Sequence, residues 1–199
     1  MFKYRGLFVA DGSWDPQVYK DENASTLSRN FAAAHLQLAF HYHRHGQLDL
    51  AIAEMERVSR MFPDYTDVLI PLGGFYMDRG DTARALALFE KLARTSPGDA
   101  EVRYSYGLTL VFKGQVERAL KEFDAAIALD PNYSSAYYAA YYCLQQSGQK
   151  ERSFKYIEDW VERHPNDEQA RQMLESERGA RRAAPGNQAL PRPPKPNLP

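Results

Sequence analysis

The sequence predicts an all-α protein, a right-handed α-solenoid of four helix-turn-helix repeats closed by a C-terminal capping helix. Two ladders and one spacing predict it. Gly46, Gly80, Gly114 and Gly148 stand 34 residues apart. Pro63, Pro97, Pro131 and Pro165 keep the same step. Between these markers apolar residues recur three and four positions apart, the spacing of one helix face. A fixed period of this length, unbroken by insertions, is the mark of a helical repeat array.

Residues 1–22 stand outside the period. Gly12 and Asp15-Pro16 mark turns there, and an irregular N-terminal extension is expected. The first helix is predicted to start between Asp21 and Ser25, where Asp21, Asn23 and Ser25 are candidate caps. It runs unbroken to His45 and so exceeds its counterparts in length. The repeats occupy about 32–65, 66–99, 100–133 and 134–167. In each, the glycine supplies a left-handed turn after one helix, and the proline stops the next by lacking an N–H and crowding the preceding turn.

Two further ladders describe packing within a repeat. Seven residues before each glycine come Ala39, Gly73, Gly107 and Tyr141; five after come Ala51, Ala85, Ala119 and Ser153. Small residues at both positions let paired helices approach. Tyr42, Tyr76, Leu110 and Leu144, with Met55, Phe89, Phe123 and Ile157, fill the space beside them. The pair Gly73-Gly74 is assigned to the same close packing. The fourth repeat departs most, with Trp160 where the third has Ala126. Asn166-Asp167 then caps a helix over 168–178 whose narrow apolar stripe is Ala170, Met173 and Leu174. Repeats and cap form one domain, 23–178. The stretch 179–199 holds six prolines, four cations and no acid, a composition that predicts a disordered, partly polyproline tail. Its Pro191-Arg-Pro-Pro194 matches a PxxP pattern, which solvated proline-rich sequence also produces.

These residues resemble the tetratricopeptide repeat family over about 32–167, and GQVERALKEFDAAIALDPNYSSAYY (114–138) is similar to its consensus. The resemblance implies a non-catalytic scaffold whose first helices line an extended concave surface. The inward positions it implies lie ten, six and three residues before each glycine. They are Leu36, Ile70, Tyr104 and Tyr138; Phe40, Gly74, Leu108 and Tyr142; His43, Met77, Val111 and Gln145. The candidate groove is therefore Leu36, Phe40, Ile70, Met77, Tyr104, Leu108, Val111, Tyr138 and Tyr142, apolar and aromatic enough to mark a contact surface. Some family members clamp an acidic peptide terminus with Lys, Asn and Arg on this face. The matching positions here are apolar, and Arg44 is the nearest cation. The expected partner is a protein or peptide segment with apolar or aromatic anchors. The protein's own flank, through Phe2, Tyr4, Leu7, Phe8, Val9 and Trp14, would hide the same surface.

Other chemistry is thinly supported. A net charge of −1 argues against nucleic acid and anionic membrane as partners. Cys143 is alone, so neither an internal disulfide nor a cysteine zinc site can form. No segment approaches the roughly 20 apolar residues of a membrane span. The four-residue run Leu7 to Ala10 is too short for a signal peptide. Four of the five histidines fall within His35–His45. His41 and His45 share a helix face, but His43 points away and His35 lies more than a turn off. The expected reading is histidine at a helix C-terminus, where imidazolium is favourable, with no metal site. No phosphate loop, nucleophile elbow or metalloprotease motif occurs, so neither catalytic residues nor a cofactor are expected. Sequons at Asn23 and Asn132 matter only in a secretory context.

A second resemblance covers residues 4–58. Tyr4-Arg-Gly-Leu7, Val18 through Asn23, Leu27, Asn30-Phe31 and Leu38-Ala39 are similar to the C-terminal soluble region of bacterial multi-pass membrane proteins related to protein O-mannosyltransferases. It implies an accessory soluble domain of a membrane glycosyltransferase, associated with a membrane protein and lying outside the cytoplasm. A free-standing scaffold would be cytoplasmic.

Overall fold

The computed structural model describes residues 22–183. The N-terminal extension and most of the proline-rich tail lie outside the described residues. Those described form nine helices and no strand. The helices are α1 (Glu22–Arg44), α2 (Leu48–Met61), α3 (Thr66–Asp78), α4 (Thr82–Thr95), α5 (Ala100–Phe112), α6 (Val116–Leu129), α7 (Ser134–Gln146), α8 (Lys150–Arg163) and α9 (Glu168–Ala183). Contacts divide the chain into two compact units that meet at Ala136 and Tyr137.

The ladders become geometry. Gly46, Gly80, Gly114 and Gly148 have φ of 72, 80, 70 and 77°, a left-handed conformation that a side chain resists. After each, the chain re-enters a helix within two residues. The N–H of Gln47, Asp81, Gln115 and Gln149 donates back to the carbonyl of Tyr42, Tyr76, Leu110 and Leu144, closing the preceding helix in a Schellman manner. Asp81 and Asp99 add side-chain caps, accepting from Arg84 N and from Glu101 N and Val102 N respectively.

In the first unit consecutive helices from α1 to α6 pack on one another, and the first helices of neighbouring repeats also touch, α1 on α3 and α3 on α5. The core runs through Ala39, Met55, Val58, Leu72, Phe89, Leu92, Leu110 and Phe123, all buried. Each such large side chain contributes about 1.5–3 kcal/mol by leaving water. Arg103 and Glu122 tie α5 to α6 at 3.0 Å. Between α2, α3 and α4, Tyr76 donates to Glu56 at 2.9 Å, and Arg84 lies over the Tyr76 ring while pairing with Glu56 and Asp81. Burial, then the Glu56 bond, hold the Tyr76 hydroxyl far above the usual phenol range.

The second unit accommodates the departures of the fourth repeat. Tyr141, where the earlier repeats have glycine or alanine, packs with Ile157 and Leu174 and donates to Glu177 at 2.7 Å. Burial and that bond raise its hydroxyl to about 12. Buried Ser153 donates to Lys150 O at 2.8 Å. Trp160 packs on Tyr137 and stacks on His164, at 5.1 and 3.6 Å between rings. α9 runs five residues beyond the expected end at 178. Arg181 explains part of this, with its guanidinium 4.0 Å from the Phe154 ring centre, and cations suit a helix C-terminus.

Candidate functional site: an aromatic groove on the first helices

The groove positions on α1, α3 and α5 converge on one open cavity of about 580 Å³. Its lining includes Phe40 and His43 from α1, Ile70, Pro71, Gly74, Phe75, Met77 and Asp78 from α3, and Glu101, Ser105, Leu108, Thr109 and Phe112 from α5. Phe89 reaches it from α4. Of the sequence-predicted residues, Phe40, Ile70, Met77 and Leu108 are brought together here. The 34-residue step places them in register, so stacking first helices side by side aligns them.

The remaining candidates lie elsewhere. Leu36 and Val111 are partly buried outside the lining. Tyr104 turns its ring to Phe123 and edge-on to Tyr133, at 6.1 and 5.3 Å, and burial raises its hydroxyl. Tyr138 and Tyr142 belong to the second unit. The Tyr138 hydroxyl donates to Asp167 at 3.4 Å, whereas Tyr142 is exposed, edge-on to Tyr141.

The cavity is built around Phe75. Phe40 meets its ring edge-on at 5.5 Å, and the His43 imidazole stacks on it at 4.9 Å. His43 Nε2 bonds Asp78 Oδ2 at 2.7 Å, across from α1 to α3. Phe40 is 42% exposed and Phe112 74%, a large apolar area to leave in water. The Thr109 hydroxyl donates to Ser105 O within α5, so it asks nothing of a ligand. Among the described residues the charged ones in the lining are Asp78 and Glu101, with no Lys or Arg. Glu101 has no ion pair among the described residues, and its field contributes, after burial, to raising Tyr133 to about 12.

The assignment of Gly73-Gly74 to close packing is correct for one residue only. A Cβ on Gly73 would run into the Phe89 ring, but one on Gly74 would meet nothing within 4 Å. Gly74 is a bare stretch of groove wall. Sequence reasoning also passed over Phe112 and Pro71. Two residues before each glycine the series reads Arg44, Asp78, Phe112 and Gln146. An aromatic in an otherwise polar series was the available signal. Pro71 sits inside α3, where it removes one helical hydrogen bond; its neighbours in the ladder carry no such signal.

The histidines have local duties. His35 bonds Glu54 on α2, His43 bonds Asp78, and His45 Nδ1 lies 2.8 Å from His41 O. No group of three or more His, Cys, Asp or Glu placed to hold a metal occurs among the described residues. No described helix is long and apolar enough to cross a membrane.

The tetratricopeptide repeat family model matches residues 42–107 and 76–141, together 100 of the 199 residues. The chain therefore belongs to the tetratricopeptide repeat family. Among solved structures it is similar to MamA from Desulfovibrio magneticus RS-1, with 21% identity over 75% of this chain and 85% of that one, and a TM-score of 0.59. It is similar also to YrrB, described as a TPR protein with an unusual peptide-binding site, with 20% identity, 77% and 79% coverage, and a TM-score of 0.58. A mutant O-GlcNAc transferase of Thermobaculum terrenum matches at 27% identity over 73% of this chain but 27% of that one, with a TM-score of 0.60. No curated protein matches the sequence.

Proposed function

We propose that this chain is a non-catalytic protein-interaction scaffold whose first-helix groove takes a partner segment with apolar or aromatic anchors. The observation that carries the reading is the cavity of about 580 Å³ floored by Phe75 and rimmed by exposed Phe40 and Phe112. Grooves of this kind take a helix face or an extended segment by its alternate side chains. Aromatic anchors dominate such interfaces. The acids Asp78 and Glu101, with no Lys or Arg among the described lining residues, argue against an acidic peptide terminus and for Lys or Arg beside the anchors. The peptide-binding description of YrrB supports the same reading by analogy of fold.

The test is selection from a random peptide library, followed by calorimetry against a groove-filling variant. Gly74→Trp places an indole where an added Cβ meets nothing within 4 Å, and its helical circular dichroism should match that of the native chain. Selected peptides should carry aromatic or aliphatic anchors with Lys or Arg. Gly74→Trp should weaken them tenfold or more, about 1.4 kcal/mol. Capture unchanged by Gly74→Trp would place binding elsewhere.

The second reading, an accessory domain of a membrane glycosyltransferase related to protein O-mannosyltransferases, draws on one observation. A repeat array like this one aligns with about a quarter of a sugar transferase chain. That reading would make the groove a dock for the transferase's acceptor or for a neighbouring subunit. Its residues 4–21 lie outside the described structure.

A further inference from the structure

Position by position, α1 differs from the first helices of the next two repeats on one face. Val68, Leu72 and Phe75 of α3 are buried, as are Val102, Tyr106 and Thr109 of α5. In both cases the preceding repeat packs on these helices, α1 and α2 on α3 and α3 and α4 on α5, with Phe40 and His43 of α1 against the Phe75 ring. The equivalent residues of α1, 34 and 68 positions earlier, are Ala34, Leu38 and His41. All three are exposed. Leu38 is 38% exposed, against 3% for Leu72 and 5% for Tyr106. Phe31, at 42%, extends the same stripe one turn further. A terminal repeat in an array needs a polar outer face or a cap, and among the described residues nothing caps this largely apolar face. It lies on the side of α1 opposite Phe40 and His43, so it is separate from the groove.

We infer that residues 1–21 of this chain cover the Phe31–Ala34–Leu38–His41 face and act as the N-terminal cap of the array. Three facts select this occupant. The segment joins the face covalently at Glu22, which gives it a high effective concentration. Its apolar residues, Leu7, Phe8, Val9 and Trp14 among them, supply the packing that α2 and α4 supply to their neighbours. Its length suffices. Trp14 precedes Glu22 by eight residues, a reach of up to about 26 Å at roughly 3.3 Å per residue. Leu38 lies sixteen helical residues beyond Glu22, about 24 Å at 1.5 Å each. The segment is thereby assigned to the edge and not to the groove, which stays open for a partner.

The test uses the full chain labelled with 5-fluorotryptophan. Trp14 and Trp160 are the only tryptophans, so two fluorine resonances appear, assigned with Trp14→Phe. The Trp14 resonance should lie away from its denatured position. Leu38→Glu, or Ala34→Glu as a second variant, should return it there while the Trp160 resonance and the helical circular dichroism stay unchanged. A native Trp14 resonance already at the denatured position would overturn the inference. So would one that both charge substitutions leave in place. A position that changes on dilution would assign the face to a second copy and overturn the intrachain cap. None of these outcomes bears on peptide capture by the groove, which Gly74→Trp tests separately.

Discussion

Asp167 joins three parts of the second unit with one carboxylate. Oδ1 accepts from Ala170 N at 2.9 Å and so caps α9; Oδ2 accepts from Trp160 Nε1 at 2.9 Å and from the Tyr138 hydroxyl at 3.4 Å. The backbone bond from Ala170, then the indole bond, hold its pKa below the usual carboxylate range. A carboxyl depressed in the folded state adds stability that is present above the unfolded value, near 3.9. That stability is lost as pH falls through the lower folded value. Asp167→Ala removes a cap, worth about 0.5–2 kcal/mol, and leaves the indole N–H without its acceptor. At neutral pH its urea midpoint should lie below that of the native chain. As pH drops below the ordinary carboxylate range the two midpoints should converge. A gap that persisted at low pH would assign the loss to packing instead of to the charged cap. The capping role was legible in Asn166-Asp167, because acceptors before an apolar stripe are a local signal. The indole bond was not, since Trp160 becomes a neighbour only when α8 folds back.

At the scale of elements, the approach of paired helices rests on glycine facing phenylalanine. A Cβ on Gly107 would sit 2.5 Å from Phe123 Cε1, and the Phe123 ring is fully buried, so it has little room to move. Overpacking costs roughly 1–3 kcal/mol, against up to about 1 kcal/mol gained when alanine replaces glycine in a helix. Gly107→Ala should therefore lower the thermal midpoint, by a net loss of up to about 2 kcal/mol. Gly74→Ala, with open space at its Cβ, should raise it or leave it unchanged. Equal shifts for both would contradict the difference in packing between these two helical glycines. The small-large ladder made Gly73 and Gly107 legible, because the repeat supplies Ala39 as a comparison. Gly74 was misassigned because adjacency in sequence hides a rotation of about 100° around the helix. The end of α9 was also out of reach, since Arg181 is held by Phe154 on another helix.

For the molecule as a whole, the period in the sequence fixes the fold, and the fold brings part of the site together. Turn glycines, stop prolines and the core ladders were all readable, because each repeat tests the others. The lining of the candidate cavity was legible where register alone places a side chain, as at Phe40, Ile70, Met77 and Leu108. Tyr104 lies outside the cavity lining, because its ring finds Phe123 and Tyr133 instead. Phe75, a core position by register, was not legible as the floor; it becomes so because Gly74 beside it is bare, Phe40 meets it edge-on and His43 stacks on it. The central claim is that this cavity is where a partner binds. Methyl resonances of Ile70, Met77 and Leu108, followed while a library-selected peptide is titrated into the full chain, test it most directly. Binding in the cavity gives saturable shifts at these three groove methyls, with Ile52, Ile157 and Leu174 unmoved. Shifts at the latter set, with the groove methyls silent, would contradict it.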